Sequence, residues 1–140
     1  MGCVNSKAPE DDNYELELVE EFRIEMSTPS ARLVEKWKTS APSRYSQLEK
    51  SLSEWVRVMT TQLEVPKASG RRHVHITRSY KSERHKLRDE DLVGGCAPLL
   101  DALVEYGVML DGCADLTYEQ SRQTSGEDWV AIEIYDVVRF

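Results

Sequence analysis

Residues 86–103 form the stretch that decides the fold, and they read Lys-Leu-Arg-Asp-Glu-Asp-Leu-Val-Gly-Gly-Cys-Ala-Pro-Leu-Leu-Asp-Ala-Leu. Because the stretch follows a strand-like run, we expect its first part to be extended, with the carboxylates of Asp89 and Asp91 on one face. The two glycines permit a tight backbone turn, and Pro98 suits the first turn of a helix. The sequence therefore predicts a strand, an acidic segment, a turn and a helix in that order.

A third acidic residue, Asp111, follows this helix, and we expect it to fold back beside Asp89 and Asp91. Three converging carboxylates without a nearby thiol or imidazole suit Mg²⁺, with Mn²⁺ as an alternative, rather than Zn²⁺. A carboxylate-bound Mg²⁺ generates hydroxide from water and neutralises charge on phosphoryl oxygens. We therefore predict that Asp89, Asp91 and Asp111 are metal ligands and catalytic residues. The alternative is a set of exposed acids at turns and caps.

Residues 88–111 resemble the RusA-type Holliday junction resolvases, in particular a phage-borne branch. That family's pattern is Asp-x-Asp-Asn, a Gly-Gly-Cys-Lys-Pro-Leu turn into a helix ending Asp-Ala-Leu, and a later Asp-Asp pair. The resemblance covers residues 22–135 in element order. It implies a Mg²⁺-dependent homodimeric endonuclease that resolves four-way junctions and other branched DNA in recombination and repair, with the same three aspartates as ligands. This chain departs from the pattern at Leu92 (for Asn), Ala97 (for Lys) and Gly112 (for the second Asp).

Charge is segregated along the chain, although its net value is −7. Residues 36–88 hold thirteen Lys or Arg and four acids, whereas residues 1–35 and 89–140 are acidic. Charge distribution decides phosphate binding more than net charge does. The alternative is a solvated basic face beside acidic ends. We predict that seven basic side chains contact DNA: Arg71, Arg72, Arg78, Lys81, Arg84, Lys86 and Arg88.

Two histidines, His73 and His75, alternate with apolar residues in a predicted strand over residues 73–80, and so share one face of the sheet. A metal-binding pair is geometrically possible there. Since no third ligand occurs at a suitable spacing, surface or phosphate-facing histidines are the favoured interpretation.

The chain of 140 residues is long enough for one domain. We predict a disordered acidic N-terminal tail over residues 1–18 and one α+β domain over residues 19–140. Apolar residues that recur at three- and four-residue steps from Tyr45 to Leu63 predict a long helix. The domain is expected to be a two-layer structure with a mixed β-sheet and two main helices, in the order β-α-β-α-β-β. Residues 31–43 are ambiguous between a short helix and an ordered loop.

Neither a membrane span nor a secretory signal is evident in the sequence. An odd number of cysteines, three, with no close pair favours a reducing compartment. We expect a cytoplasmic protein of a bacterial or phage-infected host that does not act at a membrane. Two alternative functions remain open. One is a catalytically impaired relative that binds branched DNA, and the other is an N-acylated adaptor, because residues 1–7 fit the N-myristoylation pattern.

Overall fold

The computed structural model describes residues 14–124 and 126–139. Within these ranges the chain forms strands, α-helices and one short 3-10 turn. In chain order they are β1 (Tyr14–Ile24), α1 (Ala31–Ser40), α2 (Pro42–Gln62), β2 (Arg72–Tyr80), the 3-10 turn (Glu83–His85), α3 (Asp89–Gly95), α4 (Ala97–Glu105), β3 (Ala114–Arg122) and β4 (Val130–Arg139).

The strands form one mixed sheet in the order β1-β4-β2-β3. β4 pairs antiparallel with both β1 and β2, whereas β2 and β3 run parallel. A parallel pair needs a crossover connection, and α3 and α4 lie in it. The predicted α+β class, with a single domain and a mixed sheet, is confirmed. The order differs from the prediction because the ambiguous residues 31–43 add α1 and the segment predicted to be extended adds α3, so the observed order is β-α-α-β-α-α-β-β.

One face of the sheet carries the hydrophobic core. Alternate residues of β2 and β4 are fully buried there, among them Ile76, Ile132 and Ile134, because successive strand side chains point to opposite faces. Leu52 of α2 and Leu103 of α4 belong to the same buried cluster. The opposite face carries mainly polar side chains that are half-buried or exposed.

The tail predicted for residues 1–18 overlaps the first strand. Residues 14–18 belong to β1, in which Tyr14 pairs with Arg139. Acidic composition suggested disorder there, but the same residues alternate polar with apolar side chains, which is a strand pattern. The prediction of a disordered tail is therefore wrong for residues 14–18. The rest of the predicted tail, including the acylation motif at residues 1–7, lies outside the described residues.

The acidic segment that opens the crossover is helical rather than extended. Asp89 begins α3, and Asp89, Glu90 and Asp91 occupy its first turn. Acidic side chains there interact favourably with the positive end of the helix dipole, and this signal was overlooked in the sequence. Successive helical residues are about 100° apart around the axis. The side chains of Asp89 and Asp91 therefore leave α3 on different sides, and the prediction that they share a face is wrong.

The ambiguous residues 31–43 form α1 and the start of α2. Ser30 caps α1, since its hydroxyl oxygen accepts a hydrogen bond from the Leu33 N–H at 3.2 Å. α2 begins at Pro42, and proline is favourable in a first helical turn because its missing N–H has no partner to lose there.

Two further expectations concern cysteines and membranes. Cys96 is a buried free thiol, whereas Cys113 is disulfide-bonded. Because disulfides persist mainly in oxidising compartments, the cysteines do not support the predicted reducing compartment. Every helix in the described part of the chain is too short or too polar to cross a lipid bilayer.

Candidate functional site

The glycine pair of the motif packs against the segment that starts α1. A Cβ atom on Gly95 would lie 1.7 Å from the carbonyl oxygen of Pro29, and one on Gly94 would lie 2.6 Å from a side-chain carbon of α1. We call this contact, between residues 28–31 and residues 94–96, the α1–α3 seam. The glycines therefore permit a close approach of two segments, rather than the tight turn that the sequence predicted.

Cys96 completes the α1–α3 seam. Its Sγ lies 4.0 Å from the Thr28 Oγ1, and both side chains are buried. Burial raises the pKa of the Cys96 thiol to about 11, so the thiol stays protonated at neutral pH. It packs as a small apolar group and lacks the thiolate character of a nucleophile.

A groove of about 780 Å³ lies beside this seam, where the starts of α1 and α2 meet the end of β2. We call it the basic groove. Basic side chains from three separate parts of the chain line it: Arg44, Arg78, Lys81, Arg84 and His85. Asp128 is the acidic residue in the described lining. A cleft lined mainly by one sign of charge concentrates ligands of the opposite sign, so this groove suits a polyanion.

Arg78 joins the walls of the basic groove. Its Nε donates a hydrogen bond to the Thr28 carbonyl oxygen at 2.9 Å, and its Nη1 donates to the His85 carbonyl oxygen at 3.2 Å. Burial lowers the pKa of Arg78, and the charge of Asp128 opposes that shift. An arginine guanidinium nevertheless stays charged at neutral pH. Arg78 therefore both connects the start of α1 to the 3-10 turn and adds positive charge to the groove.

The structure divides the seven predicted DNA-contact residues. Three of them line the basic groove: Arg78, Lys81 and Arg84. Lys86 and Arg88 are exposed but do not line it.

Arg71 and Arg72 hold the sheet together instead. Arg72 is only 3% exposed. It donates to Asp136 Oδ1 at 2.9 Å and to two backbone carbonyl oxygens at 2.8 and 3.0 Å. Arg71 donates from Nε to Asp115 Oδ2 at 3.0 Å, and its side chain is 9% exposed. Buried guanidinium groups cannot reach a phosphate on a docked polymer, so these two arginines leave the set of DNA-contact candidates.

Sequence reasoning missed two groove residues, Arg44 and Trp37. The Arg44 guanidinium carbon lies 4.6 Å from the centroid of the Trp37 ring, a cation–π contact. Both residues line the basic groove. Helical periodicity over residues 45–63 gives no sign that the start of this helix meets the end of β2.

The three predicted metal ligands lie in different surroundings. Asp89 is exposed at the start of α3. Asp91 is buried, and its Oδ2 lies 3.3 Å from the Nη2 of Arg32 on α1. Asp111 is exposed and lines a separate groove along α4, together with Asp101.

These positions bear on the predicted Mg²⁺ site. Carboxylate oxygens are ligands that Mg²⁺ prefers. Among the residues that the structure describes, however, no three His, Cys, Asp or Glu side chains form a group that could hold a metal ion. The carboxylate of Asp91 meets an arginine instead. The metal assignment of Asp89, Asp91 and Asp111 stays a prediction, and no catalytic step is derived from it.

Gln120 fixes the chain just before the acidic turn. Its side chain accepts from the Leu87 N–H at 2.9 Å and donates to the Leu87 carbonyl oxygen at 2.8 Å. Leu87 also lines the basic groove. Two residues span at most about 7 Å, so the backbone of Asp89 lies within that distance of Leu87, although Asp89 itself does not line the groove.

Comparison with protein-family models and with curated proteins finds no match for this chain. The resemblance to RusA-type resolvases therefore depends on the residues of positions 88–111 themselves.

Proposed function

We propose that this protein binds branched DNA of the four-way-junction type through the basic groove, as a relative of the RusA-type resolvases. The observation that carries the proposal is the convergence of basic side chains from α2, β2 and the 3-10 turn on one cleft. The resemblance at residues 88–111 supplies the expectation that the polyanion is branched DNA.

The exposed side chains of the groove suit phosphate contacts. Lys81 and Arg84 are exposed, so they can reach a sugar-phosphate backbone without a change in the core. Contacts of this kind position a nucleic acid but do not read its sequence. We therefore expect the protein to recognise the shape of its target. A homodimer, which the resemblance implies, would present two grooves to a junction with two-fold symmetry.

A gel-shift comparison tests this proposal. The expected result is tighter binding to a synthetic four-way junction than to a linear duplex of the same sequence and length, with an affinity that falls as salt rises. Equal affinity for the two DNAs would contradict branch recognition, and the absence of binding at low salt would refute the proposal.

Mg²⁺-dependent cleavage of the junction is the second candidate function. The position of Asp89 in the chain favours it, because Asp89 follows Leu87, a residue that lines the basic groove, by two positions. This candidate also requires Asp91 and Asp111 to act with Asp89.

Asp91→Asn is expected to abolish any Mg²⁺-dependent nicking of a four-way junction while binding stays intact or becomes tighter. The physical reason is that an amide is a poorer ligand for a hard cation than a carboxylate. Nicking is measured on end-labelled junctions with and without Mg²⁺.

Arg32→Gln is the matched control for Asp91→Asn. It breaks the same ion pair, of 3.3 Å, from the other side and leaves the carboxylate in place. Nicking that survives in Arg32→Gln but not in Asp91→Asn assigns the carboxylate a chemical role. An equal loss of nicking in both variants would instead show that the ion pair between Arg32 and Asp91 has a structural role.

A further inference from the structure

Residues 15–18 of β1 are all exposed to solvent. In the sheet that the structure describes, β1 is an edge strand with β4 as its neighbour. Successive strand side chains point to opposite faces, so the described residues leave both faces of the sheet uncovered at this end of β1. A register shift between Leu18 and Glu20 interrupts the pairing with β4 just beyond it. We call residues 14–18 the open edge.

One face of the open edge is apolar. Leu16 and Leu18 are 40% and 56% exposed. Their partners on β4 are Val137 and Tyr135, respectively, and partners in neighbouring strands lie on the same face of a sheet. This face is the one opposite the core, because Ile134 is buried and adjacent residues of a strand face opposite ways. The exposed leucines and their partners therefore form an apolar patch, a feature typical of interaction sites.

The other face of the open edge is acidic. Glu15 and Glu17 point to that face, and both are exposed. Glu17 lies beside another acid, Asp136 of β4. Within the described part of the chain, neither glutamate forms an ion pair. The open edge therefore presents two leucines on one face and two carboxylates on the other.

We propose that the open edge binds an extended segment of another protein in which basic residues alternate with apolar ones, and that this segment joins the sheet as a further strand beside β1. The outer side of an edge strand carries N–H and C=O groups that pair with an added strand. Every second side chain of that strand would lie beside the leucines, and the remaining ones would lie beside the glutamates. The first set should therefore be apolar and the second set Lys or Arg.

A second copy of this chain fits the open edge less well. Antiparallel pairing of β1 with β1 of another copy would bring leucines together on one face. It would also bring Glu15 and Glu17 against the same acids on the other face, and like charges directly opposite each other destabilise a sheet. A segment of alternating basic and apolar residues keeps the apolar contacts and replaces this repulsion with attraction. Charge complementarity therefore favours a basic partner over a second copy.

NMR of the whole chain with a synthetic peptide tests the proposal. The probe is acetyl-Lys-Val-Lys-Val-Lys-amide, used up to about 1 mM, the weak end of specific binding. Strand addition should shift the amide signals of residues 14–18 and slow the hydrogen exchange of those amides that point away from β4. The absence of shifts would overturn the proposal. Shifts without slower exchange would overturn strand addition and leave charge attraction alone.

A peptide of the same composition, acetyl-Lys-Lys-Lys-Val-Val-amide, is the control for alternation. It has the same charge but cannot place its valines and lysines on opposite faces of an added strand. It should bind about 10-fold more weakly, because it loses paired contacts on both faces. Equal affinity for the two peptides would contradict the alternating pattern.

The double substitution Glu15→Lys with Glu17→Lys should reverse the charge preference. Both side chains are exposed, so the core is not disturbed. This variant should bind the basic peptide about 10-fold more weakly and bind acetyl-Glu-Val-Glu-Val-Glu-amide more tightly than the unaltered protein does. Retention of the original preference would refute the role of the two glutamates.

Glu64→Lys with Glu127→Lys is the matched control for the charge reversal. It changes the net charge equally at exposed positions outside the open edge, and its peptide preference should stay that of the unaltered protein. Equal weakening in both double variants would show that binding depends on overall charge. Slow exchange of residues 14–18 that rises with protein concentration without any peptide would assign the open edge to a second copy and overturn the proposal.

Discussion

Gly95→Ala is expected to lower the free energy of unfolding by about 3 kcal/mol or more, the upper end of the cost of overpacking a tight contact. The added Cβ would lie 1.7 Å from the backbone carbonyl oxygen of Pro29, and a backbone atom cannot rotate away as a flexible side chain does. The α1–α3 seam must therefore open. Helix propensity alone predicts the opposite sign, since alanine is more favourable than glycine inside a helix by about 0.5–1 kcal/mol. Denaturant unfolding followed by circular dichroism measures the difference.

Gly70→Ala is the matched control for this substitution. A Cβ at Gly70 would meet no heavy atom within 4 Å, so its effect should stay within about 0.5 kcal/mol. The loss of free energy of unfolding in Gly94→Ala should fall between those of Gly70→Ala and Gly95→Ala, because its added Cβ meets a side-chain carbon at 2.6 Å. A Gly95→Ala protein as stable as the Gly70→Ala protein would show that the seam is not closely packed in solution.

The double substitution Lys81→Ala with Arg84→Ala is expected to weaken four-way-junction binding roughly 10–100-fold at low salt. Each side chain is a candidate for one charge-assisted phosphate contact, and loss of such a contact commonly costs about 1.5–3 kcal/mol before solvent screening reduces it. The slope of log affinity against log salt should become shallower by about 2, since each phosphate contact contributes nearly one unit. A filter-binding series over several salt concentrations gives both quantities.

Lys50→Ala with Arg57→Ala provides the control for the groove pair. It changes the net charge of the protein by the same amount, but both residues lie on exposed positions of α2 away from the basic groove lining. Its salt slope should match that of the unaltered protein. If the two double variants changed the slope equally, binding would depend on overall charge rather than on the groove.

Much of the fold was predictable because the residues that a helix or strand buries recur at a regular spacing in the sequence. Leu48, Leu52 and Val56 are the buried residues of α2, and they lie at the helical spacing found in the sequence. α3 was missed for a physical reason. With seven residues it has fewer than two turns, so no period can be detected, and its packing depends on the seam with α1, about sixty positions away in the chain.

The candidate site was predictable only in part. Local charge density selected Lys81 and Arg84 as DNA-contact candidates, and both line the basic groove. It could not separate them from Arg71 and Arg72, whose acidic partners lie on β3 and β4 and become neighbours only when the sheet forms. Asp91 shows the same limit, because the arginine that pairs with it comes from α1. Residue type gives the chemistry that a side chain can perform, while the tertiary neighbours decide whether it is free to perform it.

The strand order has a consequence for how the protein is made. β4 lies between β1 and β2, so β1 has no neighbour in the sheet until residues 130–139 have left the ribosome. Before that moment the edges of β1 and β2 that β4 later covers are unpaired, and such edges are surfaces on which chains associate wrongly. Assembly of the complete sheet is therefore expected to follow synthesis of β4.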